Sequence, residues 1–188
     1  MSEPTPDEVD RLVEAWRRER PDLDVAPMQV LSRVTRLARH LDLARREAFA
    51  RHQLETGEFD VLTALRRSGA PYQLTPGRLI RATMVTSGTM TNRVDRLESK
   101  GLVERGPDPA DRRGVLVRLT TEGRRRVDAA LEGLLEHERA LLADLTDAQR
   151  ASLGALLRTV VAPFDEGSHS TPSSQPPPST DGSWPSNP

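Results

Sequence analysis

The sequence has no cysteine, which excludes disulfides, a thiol nucleophile and a cysteine-based redox switch. It has no apolar run approaching the length needed to cross a bilayer. Its first ten residues, MSEPTPDEVD, are acidic and unlike a secretory signal, so a soluble cytoplasmic protein is expected. No Gly-rich phosphate loop precedes a helical stretch. The four histidines, His40, His52, His137 and His169, show no paired metal-ligand spacing. Together these absences argue against an enzyme and imply neither cofactor nor metal. Hydrophobic content is only 36%, below the globular average and diluted by a polar C-terminal tail.

What remains is a chain of 188 residues, enough for one domain or a core with helical extensions. The formal net charge of −1 hides an uneven division. Between Leu62 and Arg126 lie 14 basic and 6 acidic side chains, leaving 13 basic and 22 acidic ones elsewhere. A basic centre within an acidic chain is the asymmetry of a protein that meets phosphate on one face.

Thr5-Pro6-Asp7-Glu8 reads as a helix start, with Val9, Leu12, Val13 and Trp16 following at helical spacing and Pro21 ending the segment. So short a helix must pack against something, and Trp16 reads as a hydrophobic anchor. Pro27 opens a longer helix to about Arg51, with an apolar face wider than one stripe. Thr56 caps a helix carrying Phe59, Val61, Leu62 and Leu65, which ends near Ser68-Gly69, and residues 70–74 form a connector. Beyond residue 120, helices over 121–143 and 147–161 carry a long leucine series. From about Asp165 the chain is rich in Pro and Ser and cannot offset its ordering entropy.

Residues 75–119 carry the chemistry. Thr75 caps a short helix with Pro76 in its first turn, Leu79, Ile80 and Met84 form its apolar face, and Val85 packs the turn. A second helix starts at Thr86 or Ser87 and runs to about Ser99, where Gly101 stops it. Met90, Val94 and Leu97 share one stripe, and Thr89, Thr91, Asn92, Arg93 and Arg96 fall away from it. Arg and Asn make two-pronged contacts to base edges, and a hydroxyl-rich helix N-terminus favours phosphate. Strands over 102–105 and 115–119 follow, with a tip from Gly106 to Gly114 that carries Arg112 and Arg113. The plainer reading is a solvated helix and hairpin with ordinary surface charge. The hairpin at this spacing favours a winged helix-turn-helix.

The fold expected is therefore mainly α with a small β-wing. Residues 1–24 form an extra N-terminal helix, 25–53 and 121–162 dimerisation helices, 54–120 the DNA-binding domain, and 163–188 a disordered tail. The reading domain needs no flanking helices for its own core, and their leucines would form exposed patches unless a second copy covered them. A homodimer supplies the second recognition helix that a palindromic operator requires.

The stretch SGTMTNRVDRLESKGLVERGPDPADRRGVLVRLTTEG, residues 87–123, resembles the MarR (multiple antibiotic resistance regulator) family of bacterial transcription factors. The resemblance covers about residues 25–162. It implies a dimer on double-stranded DNA that mostly represses nearby genes and lets go when a small, often anionic, effector binds. By that resemblance the helix from Thr86 reads the major groove, while Arg113 and Arg112 enter the minor groove, whose negative potential suits an inserted Arg. The extra N-terminal helix, with Ala15-Trp16-Arg17, Glu58-Phe59-Asp60-Val61-Leu62 and Thr91-Asn92-Arg93, is similar to the urate-responsive branch. That likeness implies a ligand cleft at Trp16, Asp60, Arg93 and Arg105, for urate, related purines or aconitate-type carboxylates. It also suggests an Asp60–Arg93 ion pair that the anion breaks, or one that is only structural. An effector-independent repressor or architectural protein is the alternative.

Overall fold

The computed structural model of the protein describes residues 5–167, in two compact units that meet between Ala140 and Leu141. In the first unit, α1 spans Glu8–Glu19. Its cap is Asp7 rather than the expected Thr5: the Asp7 carboxylate accepts the N–H groups of Val9 and Asp10 at 2.8 and 3.0 Å, and Asp10 returns the favour to Asp7 N at 2.9 Å. Helix α2, Ala26–Ala50, opens with Pro27 in its first turn. Val9 and Val13 of α1 form a small core with Val25 and Met28. Arg33 of α2 clamps the far side by donating to Asp7 at 2.9 Å and to Asp10 at 2.8 Å. Trp16 stays 44% exposed, outside that core.

Helix α3, Thr56–Arg67, is capped by Glu55 and Glu58 in a reciprocal capping box, not by Thr56. The connector after it contains a two-residue strand, β1 (Gln73–Leu74), too short to leave a periodic signal. Helices α4 (Pro76–Thr83) and α5 (Ser87–Ser99) follow, capped by Thr75 and Thr86 as the sequence indicates. Met84 departs from expectation. It takes a left-handed backbone at φ 50°, and its side chain is 87% exposed instead of packed. Leu79 is fully buried in its place.

The wing is β2 (Val103–Asp108) paired antiparallel with β3 (Asp111–Leu119), and β1 adds to the other edge of β3. The strands run further than the pattern of 102–105 and 115–119 suggested, because Gly106 and Pro107 pair with Leu116 and Val115. Only Pro109-Ala110 is left as the turn, with the Asp108 carboxylate accepting Ala110 N at 2.9 Å.

Helix α6, Thr121–Leu141, is fastened to the wing's base. Thr120 Oγ1 accepts Gly123 N at 3.0 Å and donates to the Gly101 carbonyl at 2.8 Å. Val127, Ala130 and Leu134 then enter one core with Phe49 of α2 and Leu62, Leu65, Leu79, Leu97 and Leu102. The end of α2 and α6 through Leu134 are thus part of the reading domain's own core, contrary to the expectation that it stands without flanking helices. Each buried Val, Leu or Phe among them contributes about 1.5–3 kcal/mol by leaving water, which matters in a module of about 65 residues, where the buried fraction of the surface is small.

The second unit holds α7, Asp147–Gly167, which continues through Pro163 to Gly167 where a tail was expected from 163. Leu153, Leu156, Leu157, Val160 and Val161 all remain exposed on it. The rest of the expected tail, 168–188, lies outside the described residues.

Candidate nucleic-acid interface

Helix α5 buries Met90, Val94 and Leu97 and turns Thr86, Ser87, Thr89, Thr91 and Asn92 to solvent. Local bonds set the hydroxyls. Thr86 Oγ1 accepts Thr89 N at 3.3 Å and shares a 2.9 Å hydrogen bond with Thr89 Oγ1, while Thr91 donates to the Ser87 carbonyl at 3.1 Å. Thr75 does the same for α4, accepting Arg78 N at 3.3 Å. Arg113 is exposed near the wing tip, where its N–H is held by Asp111 at 2.9 Å. The side chain of Arg112 lies outside the described residues.

Two arginines of α5 have intramolecular engagements that residue type did not announce. Arg96 donates to Glu55 at 3.0 Å, bridging α5 to the start of α3. Arg93 turns toward α3: its guanidinium lies so close over Gly57 that a Cβ there would stand 2.5 Å from Cζ. Its Nη1 is buried and has no hydrogen-bond partner. The sequence holds a signal for this inward turn, since Arg93 stands three residues after Met90 and four before Leu97, on the flank of the buried stripe.

The anticipated Asp60–Arg93 ion pair is not formed. Asp60 faces Arg45 of α2 at 3.9 Å, and Gly57 gives the Arg93 guanidinium room one helical turn away. Arg105 of β2 is bound to both Asp95 and Glu98 of α5. Partial burial opposes its charge, but the two carboxylates more than compensate and leave its pKa raised. Arg105 therefore rivets the wing to α5. Residue type alone does not assign Asp95 and Glu98 to Arg105, although their spacing of three puts them on one face beside β2. Trp16 belongs to α1, where it is exposed beside the small valine core and meets none of these charges.

Residues 52–114 match the profile of the MarR family. The HTH-type transcriptional regulator PecS of Dickeya dadantii (strain 3937) is 40% identical over 153 residues, covering 81% of this chain and 92% of that protein. The chain belongs to the MarR family. Among solved members, a cysteine-to-serine mutant of MarR from E. coli complexed with operator DNA is 31% identical, with a TM-score of 0.60 over 74% of this chain and 99% of that one. BpsR of Bordetella bronchiseptica, whose DNA binding is regulated by 6-hydroxynicotinic acid, is 29% identical, with a TM-score of 0.53 over 68% of this chain and 98% of that one. This MarR-family protein is a transcriptional regulator built on a winged helix. Among its described residues no helix is long and apolar enough to cross a membrane, and no cluster of His, Asp or Glu could hold a metal.

Proposed function

We propose that the chain is a homodimeric repressor that grips a pseudo-palindromic operator and releases it when a small anion binds, with urate, a related purine or an aconitate-type carboxylate as the effector. The observation that carries the DNA half is the outward row of Thr86, Ser87, Thr89 and Asn92, which has no apolar member and begins at the N-terminus of α5. Dimerisation is supported by apolar side chains exposed on α2 and α7, among them Val30, Leu31, Val34, Leu37, Leu156 and Val160.

The effector half rests on two arginines. Nη1 of Arg93 is a buried donor without an acceptor, a costly state that an anion's oxygen would relieve. An anion drawn to Arg105 would compete with Asp95 and Glu98 and so loosen the wing from α5. The effector relation of BpsR to an aromatic carboxylate supports the same chemistry. A second reading, an effector-independent repressor or architectural protein, has its own support: Asp60 and Arg105 already have partners inside the protein.

Selection of bound duplexes from a random pool, with and without urate, xanthine or aconitate, tests both. An inverted repeat lost on adding one of these anions is the expected result. Enrichment that ignores all three favours the effector-independent reading, and no enriched repeat overturns the proposal.

A further inference from the structure

Away from α5's outward face, the turn between α2 and α3 and the first turns of α6 flank an open hollow of about 190 Å³, lined by Arg51, His52, Gln53, Arg125 and Arg126. That is ample room for several waters or one tetrahedral oxyanion. Glu122 is the carboxylate that meets these arginines, accepting from Arg125 at 2.7 and 2.8 Å and from Arg126 at 2.9 Å. Among the described residues, the side chains of Arg51 and His52 have no hydrogen bond or ion pair. With Glu122 counted, three guanidiniums leave an excess of positive charge around a polar hollow, inside a chain that is acidic outside its centre.

We propose that this hollow binds a small phosphate-class oxyanion, inorganic phosphate or a phosphomonoester, with Arg51 as the principal fork and Arg125 adding the donors that Glu122 leaves over. Guanidinium suits this ligand because its planar donors meet two oxygens at once. Like-charged side chains held around a cavity repel each other until an anion fills it. The carbonyl ends of α2 weigh against an anion, and the first turn of α6 weighs for it. The arginines outweigh both, since a full charge exceeds a half-charge at a helix end. The same turn touches the reading head: the Gln53 carbonyl accepts from Lys100 Nζ at 3.1 Å, and Lys100 caps α5. An anion gripped there braces the loop that holds the end of the recognition helix.

The test is calorimetric titration of the full-length, DNA-free chain with inorganic phosphate, ionic strength being held constant with chloride. Saturable binding is expected, weakened about tenfold or more in the double variant Arg51→Gln, Arg125→Gln, as the loss of charge-assisted hydrogen bonds requires. Both side chains are exposed, so the variant folds, and matching thermal melts in chloride check that. The absence of saturable binding to the wild type overturns the site. Equal phosphate binding by both proteins does so too. None of these readouts involves an operator or urate, so they stand apart from the function proposed above.

Discussion

The Nζ of Lys100 stands 2.7 and 2.8 Å from the two carboxylate oxygens of Glu58, a side chain with no exposure to solvent. Glu58 also accepts the Glu55 N–H at 2.9 Å, so one buried carboxylate caps α3 and anchors the end of α5. Lys100 is the chain's single lysine. Replacing it with Met strands the carboxylate and is expected to cost about 3 kcal/mol, the low end for breaking a buried ion pair, because a third of Lys100 remains in water. Adding Glu58→Gln to Lys100→Met should recover part of that loss. Urea unfolding of the three proteins measures it, and equal midpoints for wild type and Lys100→Met would show the pair to be ornamental.

Two glycines separate packing from propensity. A Cβ at Gly123 would stand 1.9 Å from the Leu102 carbonyl oxygen, against backbone that cannot step aside. Gly123→Ala is therefore expected to destabilise by about 3 kcal/mol or more, despite the helix-propensity gain of roughly 1 kcal/mol. At Gly57 the obstructing atoms are the tip of Arg93, which can swing away. Gly57→Ala should stay within about 1 kcal/mol of wild type in urea unfolding while expelling Arg93 from its berth. Similar losses at both positions would refute the distinction.

The contrast shows what the sequence makes legible. Caps at Thr75 and Thr86, the stripe Met90-Val94-Leu97 and the stop at Gly101 follow from local chemistry, and the structure places them there. The inward turn of Arg93 depends on Gly57 being bare, and those residues are 36 positions apart in the chain. Likewise Phe49 and Val127 join the core of the reading domain through contacts that no local period encodes. The outward polar face of α5 was readable because it is one helix. The pairing of Asp60 and Arg105 was not, because their partners, Arg45 for Asp60 and Asp95 with Glu98 for Arg105, are chosen by tertiary packing.

Glu122 makes stability depend on pH in one direction. Hydrogen bonds from Arg125 and then Arg126 hold its carboxyl down to about 2, from an ordinary 4.5. A depressed folded-state pKa contributes stability that is complete above the unfolded value and disappears as pH falls through the folded one. The stability difference between wild type and Glu122→Gln should therefore be flat above about pH 5 and shrink steadily toward pH 2. Thermal melts across that window measure it, and a difference that grows on acidification would reverse the sign.

Arg113 is exposed beside the wing turn, with its backbone N–H fixed by Asp111. If it enters a minor groove, Arg113→Ala weakens operator binding and lowers the slope of log affinity against log salt by about one unit. Fluorescence anisotropy at several salt concentrations reads both quantities. An unchanged slope removes the wing from the contact.

The effector reading makes its sharpest claim at Arg93 and Arg105, which differ in what they have to give up. Arg93 offers a buried donor with no partner, so Arg93→Ala should abolish urate binding and leave the fold intact. Arg105 must first surrender Asp95 and Glu98, so weakening that grip helps the ligand. Glu98→Gln is accordingly expected to tighten urate binding several-fold, by removing one competing charge of the kind worth about 1 kcal/mol near a surface. Arg105→Ala should instead uncouple the wing, reducing operator affinity with or without urate. Calorimetry on the four proteins distinguishes these patterns. Urate binding that is equal in wild type, Arg93→Ala and Glu98→Gln would place the effector elsewhere, because no anion seated between these arginines could be indifferent to both the missing donor and the missing rival.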